Sequence, residues 1–180
     1  MLQEIIIAGF GGQGVMSMGQ LIAYAGMIEE KNVSWLPSYG PEQRGGTANC
    51  AVVVSDQQVG SPLVSNPSAV IVLNNPSFDK FEPKVRPGGL LISNSSLVAR
   101  KSEREDIKVI DIRATDLANE LGNSRITNMI LLGAFIEYSK FLSENSIIES
   151  LKKVLSEDKY HLIDINKRAL RKGAELVAVF

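Results

Sequence analysis

A glycine-rich segment between an apolar run and an amphipathic run restricts the fold of this chain more than any other feature. Residues 9–14 read Gly-Phe-Gly-Gly-Gln-Gly and match the pattern G-x-G-x-x-G. The apolar residues 5–8 precede this segment, and residues 15–30 follow it with apolar side chains at helical spacing. A strand, a tight turn and a helix in this order are typical of α/β folds that bind ligands at the carboxyl edge of a sheet.

The rest of the chain continues an α/β pattern. Short runs rich in Val, Ile and Leu predict strands at residues 33–36, 48–54, 69–73, 89–92 and 107–112, and we expect the last four to be buried on both faces. Helical periods follow at residues 114–121, 127–142, 146–155 and 163–177. The helix from residue 127 is nearly all apolar, so we expect it to be buried on most sides. Ser143 or Asn145 is expected to cap the next helix, and Asp164 or Asn166 the last.

These patterns predict a Rossmann-like three-layer α/β domain with a mainly parallel sheet and a helical C-terminal part. Neither a repeat nor a shift in composition suggests a boundary, so residues 1–180 are expected to form one domain.

Composition excludes several classes of function. With 19 Lys and Arg against 20 Asp and Glu, the chain has no basic field for nucleic acid or an anionic membrane surface. Its apolar runs are shorter than the roughly 20 residues of a membrane span, and residues 1–10 lack the basic region of a signal peptide. We therefore expect a cytoplasmic protein. The single cysteine, Cys50, cannot alone form a disulfide, a zinc site or an iron–sulfur site.

The glycine segment favours a phosphate-bearing ligand, because glycines permit positive φ and close approach, while free N–H groups at a helix start attract anions. The alternative, left open by the sequence, is that the glycines only let the helix pack on its strand. A dinucleotide site also needs a carboxylate at the end of the second strand. Glu29 and Glu30 are near the right count but precede that strand, which argues against NAD and S-adenosylmethionine.

A second unusual segment is residues 37–46, Pro-Ser-Tyr-Gly-Pro-Glu-Gln-Arg-Gly-Gly. Its density of Gly and Pro predicts an ordered surface loop without regular structure. Because it follows the second strand, we expect it to share a crevice with the glycine segment at the carboxyl edge of the sheet.

Together these motifs resemble the gamma subunits of pyruvate, 2-oxoglutarate and 2-oxoisovalerate ferredoxin oxidoreductases, and the beta subunit of indolepyruvate oxidoreductase. The resemblance rests on residues 9–15, on residues 38–46, and on Asn128-Met129 with Leu132-Gly133-Ala134. It extends along essentially the whole chain, and the pairing of the first two motifs is more specific than a glycine loop alone.

The resemblance implies a subunit, inactive alone, of a complex that converts a 2-oxoacid and coenzyme A to an acyl-CoA, CO2 and reduced ferredoxin. Thiamine diphosphate, Mg and iron–sulfur clusters are then expected on the alpha, beta and, where present, delta subunits, and this chain would bind none of them. It also implies a role near coenzyme A and in docking to the thiamine-binding subunits. Neither a catalytic residue nor a metal ligand is expected here.

The candidate cofactor contacts carried over from the resemblance are Gly11, Gly12, Gln13 and Gly14 for phosphate, and Glu42, Gln43 and Arg44 as polar groups near the active-site mouth. Arg44 is the most specific of them, because a guanidinium can clamp a phosphate or a carboxylate. A salt bridge or an interface contact is the alternative role for Arg44. His161, the only histidine, is expected at the surface, and Cys50 is expected to be a buried apolar residue.

Two other functions stay open at this point. The chain could be a stand-alone nucleotide-binding enzyme that uses the glycine loop. It could also be a scaffold that organises other subunits without touching coenzyme A or the substrate.

Overall fold

A computed structural model describes residues 1–39 and 47–178 of the chain. Six strands form one sheet, in the spatial order β2-β3-β1-β4-β5-β6. They are β1 (Leu2–Phe10), β2 (Asn32–Tyr39), β3 (Thr47–Ser55), β4 (Ala69–Val72), β5 (Leu90–Asn94) and β6 (Lys108–Ile112). Strands β1, β4, β5 and β6 pair in parallel, whereas β3 is antiparallel to both of its neighbours, β1 and β2. The predicted α/β class with a mainly parallel sheet is confirmed.

The described residues contain six α-helices, which are α1 (Val15–Ile28), α2 (Asn75–Phe81), α3 (Ala114–Glu120), α4 (Thr127–Ser139), α5 (Glu144–Val154) and α6 (Ile163–Val177). Short 3-10 turns cover Glu82–Lys84, Ser124–Ile126 and Glu157–Leu162. The helical C-terminal part is therefore confirmed, with α6 at the predicted bounds. Among the described helices none is long and apolar enough to cross a membrane.

The two faces of the sheet are covered unequally. Side chains of α1, α3, α4, α5 and α6 pack on one face in a large apolar core. The other face carries a smaller core, to which α2 contributes Phe78 and Phe81. The three-layer arrangement therefore has one thick helical layer and one thin one.

Helix α4 is the centre of the thick layer. Every residue from Thr127 to Ile136 is buried, as its apolar sequence predicts. The backbones of α4 and α6 are in direct contact at two glycines. A Cβ on Gly133 would lie 1.8 Å from the Leu170 carbonyl oxygen, and a Cβ on Gly173 would lie 1.8 Å from the Ile130 carbonyl oxygen. The prediction that this helix is buried on most sides is confirmed, and the burial is supplied by this chain itself.

Three local predictions are corrected. Pro37 lies in β2 and not in a loop, because β2 is an edge strand paired only with β3 and tolerates a residue without an N–H. Strand β6 is not buried on both faces, since Lys108 and Asp111 are exposed at the opposite edge of the sheet. Helix α6 has no side-chain cap at Asp164 or Asn166, because it continues directly from a 3-10 turn.

The start of α5 follows one of the two capping predictions. Ser143 is the N-cap, and its hydroxyl oxygen accepts a hydrogen bond from the Ser146 N–H. Asn145 lies inside the helix.

Candidate functional site

The glycine segment forms a tight turn from the carboxyl end of β1 into α1. The Gln13 N–H donates to the Phe10 carbonyl oxygen at 3.2 Å. Gly12 and Gly14 have φ values of 92° and 78°, in the left-handed region that disfavours side chains. Gly11 and Gly12 are exposed, and a Cβ on either would meet nothing within 4 Å. The turn therefore leaves open space on its outer side.

Backbone N–H groups on this turn are free to bind a ligand. Within the described part of the chain, the N–H groups of Gly11, Gly12 and Gly14 donate to no acceptor. Gly14 is also the N-cap of α1, which has neither a side-chain cap nor an acidic residue in its first turn. A helix start with unsatisfied N–H groups carries a partial positive charge, so the turn is suited to an anion.

The Gln13 side chain holds the turn in shape. Its Oε1 accepts hydrogen bonds from the Phe10 N–H at 2.7 Å and from the Asn74 Nδ2 at 3.2 Å. Asn74 is buried at the end of β4, where its Oδ1 accepts from the Ser77 N–H and caps α2. Because Gln13 is engaged in this way, its side chain braces the loop, and the N–H groups left free on the turn belong to the backbone.

Asn128 fixes the other end of the turn. It is buried in the first turn of α4, and its Nδ2 donates to the Gly14 carbonyl oxygen at 3.3 Å. A Cβ on Gly14 would lie 2.5 Å from that nitrogen, a distance that atoms do not adopt. The sequence alone did not identify Asn74 or Asn128 as site residues. A helix-start signal, Asn74 followed by Asn75 and Pro76, was available for the first of them.

A cavity of about 190 Å³ opens beside the turn. Its described lining is Gly12, Gln13, Leu73, Leu97, Thr115, Ser124, Arg125 and Thr127. These residues follow the carboxyl ends of β1, β4 and β5 or lie at the start of α3, in the 3-10 turn before α4 and at the start of α4. The cavity therefore lies at the carboxyl edge of the parallel strands, where open α/β sheets bind their ligands.

The two predicted loops begin at the same edge of the sheet. Tyr39 at the end of β2 pairs with Ala48, and Thr47 at the start of β3 pairs with Phe10. The second segment thus leaves and re-enters the sheet beside the glycine turn. Glu42, Gln43 and Arg44 lie outside the described residues, so their predicted roles stay predictions.

Glu29 does not serve as a ribose ligand. Its Oε1 accepts hydrogen bonds from the Ser143 N–H at 2.7 Å and from the Ser146 hydroxyl at 2.6 Å. Partial burial tends to raise the pKa of Glu29, but these hydrogen bonds outweigh it and the pKa lies below its usual 4.5. The carboxylate therefore joins α1 to α5, and Glu30 follows it in the left-handed conformation with φ 57°.

Cys50 and His161, two further side chains that could be reactive, have the positions that the sequence predicts. Cys50 is fully buried, and burial is the main reason that the pKa of its thiol rises to about 12. His161 is exposed, with Nδ1 2.9 Å from the Asp158 carbonyl oxygen. Both positions agree with the sequence predictions. Across residues 1–39 and 47–178, no group of three or more His, Cys, Asp and Glu side chains is placed to hold a metal ion.

Comparison with known proteins gives one consistent family. The model of the family described as pyruvate ferredoxin/flavodoxin oxidoreductase matches residues 4–176. The ketoisovalerate oxidoreductase subunit VorA of Methanothermobacter marburgensis is 41% identical over 173 residues, which are 96% of this chain and 36% of that protein. The 2-oxoglutarate synthase subunit KorC of Methanocaldococcus jannaschii is 30% identical over 183 residues, covering 98% of this chain and 94% of that protein. The chain thus spans about a third of VorA and nearly all of KorC.

Two solved structures share the fold. The gamma subunit of a keto/oxoacid ferredoxin oxidoreductase from Geobacter sulfurreducens has a TM-score of 0.84 at 24% identity, with 99% of both chains covered. The 2-oxoglutarate:ferredoxin oxidoreductase from Magnetococcus marinus, solved with 2-oxoglutarate, coenzyme A and succinyl-CoA bound, has a TM-score of 0.89 at 24% identity. This chain covers 31% of that longer chain, and 99% of this chain is aligned. By the family match over residues 4–176, the chain belongs to the pyruvate ferredoxin/flavodoxin oxidoreductase family.

Proposed function

We propose that this chain is a gamma-type subunit of a 2-oxoacid:ferredoxin oxidoreductase and that its glycine turn binds the phosphate groups of coenzyme A. The complex would convert a 2-oxoacid and coenzyme A to an acyl-CoA and CO2 and pass electrons to ferredoxin. Residues 1–180 would form one gamma-type domain, and a cytoplasmic location is part of the proposal. The observation that carries it is the open turn at the carboxyl edge, with the free N–H groups of Gly11, Gly12 and Gly14.

Two sets of facts support the wider assembly. KorC, a subunit by name, is nearly the same length as this chain, whereas VorA is much longer than the part that matches. The chain has one cysteine, and Cys50 is buried, so iron–sulfur clusters would be held by partner subunits. Thiamine diphosphate and Mg would likewise be held by partner subunits, where the thiamine group would supply the decarboxylation chemistry. The role of this chain is then to bind and orient coenzyme A and to dock to those subunits.

The site residues divide into two proposed roles. Gly11, Gly12 and Gly14 would donate backbone hydrogen bonds to a phosphate, and Gln13 would hold the turn in the shape that aims them. Glu42, Gln43 and Arg44 remain proposed polar contacts beside the active-site mouth. The alternative role of Arg44 is a salt bridge or an interface contact.

A stand-alone dinucleotide enzyme receives no support from the described residues. Strand β2 ends at Tyr39 without the carboxylate that a dinucleotide site needs. The Glu29 carboxylate instead accepts hydrogen bonds at the start of α5. A pure scaffold differs from the proposal in one respect only, which is whether the glycine turn touches coenzyme A.

Gly11→Asp in the assembled complex tests that difference. The new side chain points into open space at a backbone conformation that any residue adopts, so the change adds a negative charge without strain. We expect the KM for coenzyme A to rise by at least about ten-fold through charge repulsion, while the KM for the 2-oxoacid and the subunit composition stay unchanged.

Gly60→Asp is the matched control, because Gly60 is also exposed with open space at its Cβ and lies outside the turn. Equal KM values for coenzyme A in the two variants and the wild type would leave the scaffold as the better description.

A further inference from the structure

Arg125 is the one cationic side chain among the described residues that line the cavity beside the glycine turn. It lies in the 3-10 turn Ser124–Ile126 directly before α4, about a hundred residues along the chain from the glycine turn that lines the same cavity. Its backbone is held in place, since the Arg125 N–H donates to the Asn123 Oδ1 at 3.0 Å. The backbone of Arg125 is thus fixed, and its exposed side chain lines the same cavity as Gly12 and Gln13.

The guanidinium of Arg125 has no partner within the described part of the chain. Most other described arginines do have one. The pairs are Arg86–Glu4, Arg100–Asp79, Arg104–Asp106, Arg113–Asp116 and Arg171–Glu144. Arg168 is the remaining unpaired one, and it lies on the polar side of α6, outside the cavity. Arg125 therefore combines an unpaired charge with a position at a concave surface.

The charges in the described lining of the cavity favour an anion. No carboxylate is present in its described lining. The first turns of α1 and α4 contain no acidic residue, so no carboxylate there offsets the positive ends of these two helices. Hydroxyl groups of Ser124 and Thr115 complete a lining that donates hydrogen bonds.

The size of the cavity limits what enters it. About 190 Å³ is below the range of roughly 300–1,000 Å³ that encloses a whole small ligand. The space fits one charged group of a larger molecule whose remainder lies outside, on a partner subunit or in the crevice.

We propose that Arg125 is a specificity-determining residue that pairs with a phosphoryl group of coenzyme A in the cavity beside the glycine turn. This inference rests on the proposed function, because it assumes that coenzyme A is the ligand of the turn. Coenzyme A offers two sources of this chemistry, its diphosphate and its 3′-phosphate. A guanidinium binds either of them bidentately, which an ammonium group cannot do.

The test is the KM for coenzyme A in the assembled complex with Arg125→Ala, measured beside Arg125→Lys and the control Arg168→Ala. We expect Arg125→Ala to raise this KM by about ten-fold or more, since hydrogen bonds to charged groups are strong. The kcat and the KM for the 2-oxoacid stay unchanged, Arg125→Lys recovers part of the loss, and Arg168→Ala behaves as wild type. Thermal unfolding and subunit composition of each variant verify that the complex is intact.

Dephospho-CoA, which lacks the 3′-phosphate, separates the two sources. If Arg125 binds the 3′-phosphate, Arg125→Ala leaves the KM for dephospho-CoA unchanged; if it binds the diphosphate, the KM rises equally for both compounds. An unchanged KM for both compounds overturns the inference. In that case a raised KM in Gly11→Asp would leave the coenzyme A role of the glycine turn intact, and an unchanged one would remove that role together with the inference on Arg125.

Discussion

Asn128 holds Gly14 by a hydrogen bond from its side-chain amide to the Gly14 carbonyl oxygen, at 3.3 Å. The two residues are 114 positions apart in the chain, and their contact joins the start of α1 to the start of α4. Gly14 also has φ 78° and no room for a Cβ on this side. The glycine turn is therefore connected to the start of α4, and a substitution in either should change the shape of the proposed binding site.

Gly14→Ala should destabilise the chain and, if the proposed function holds, weaken coenzyme A binding. The left-handed backbone alone costs about 1–2 kcal/mol for a residue with a Cβ, and displacing Asn128 adds to this. Chemical denaturation measures the loss of unfolding free energy. Gly11→Ala is the control, since its Cβ meets open space, and equal stability of the two variants would contradict the geometry of this turn.

Gln13 and Asn74 should act as a coupled pair. Removing the Gln13 amide by Gln13→Leu leaves the Phe10 N–H and the Asn74 Nδ2 without their acceptor, at a cost of about 1–3 kcal/mol in unfolding free energy. A double-mutant cycle with Asn74→Ala measures how far the two effects depend on each other. Strictly additive effects would indicate that Gln13 does not brace the loop through Asn74.

Glu29→Gln should lower stability at neutral pH and have less effect in acid. The pKa of Glu29 in the folded chain lies below its usual 4.5, so ionisation favours the folded state above that pH. Because the group is largely solvated, the expected loss is below about 1 kcal/mol. It should shrink as the pH falls below 4.5 and the carboxylate of the wild type takes up its proton.

Denaturation curves of wild type and Glu29→Gln at neutral and acidic pH provide this measurement. A difference that grows toward acid pH would mean that the hydrogen bonds from Ser143 and Ser146 do not favour the carboxylate.

Gly133→Ala should destabilise the thick helical layer. The added methyl group would collide with the Leu170 carbonyl oxygen, so α4 and α6 would have to move apart, at a cost of about 1–3 kcal/mol or more. Thermal unfolding reports the loss, and Gly60→Ala should show none of it. Unchanged stability in Gly133→Ala would mean that the two helices do not pack at backbone distance.

Sequence patterns predicted the elements that have strong local signals. Apolar runs and helical spacing identified β1, β3, β4 and most helices, because the spacing of apolar residues follows the buried face of each element. The seven residues of α2 were missed, since so short a helix has little periodicity. The local sequence predicts a loop at Pro37, because the edge position of β2, which permits proline, is a property of the assembled sheet.

The site was predictable only where it is local. The glycine turn was visible in residues 9–14, and its place between strand and helix follows from the flanking patterns. The residues that support the turn could not be predicted in this way, because Asn74 lies 61 residues from Gln13 and Asn128 lies 114 residues from Gly14. The same holds for Arg125, whose neighbours are defined by the strand order and not by the sequence.

The most direct measurement is affinity purification of this chain from its native cells under anaerobic conditions, followed by assays of several 2-oxoacids with a viologen dye, with and without coenzyme A. We predict that larger subunits co-elute and that dye reduction depends on coenzyme A and on one class of 2-oxoacid. A single inactive chain that binds a nucleotide would contradict the proposed function and favour a stand-alone enzyme.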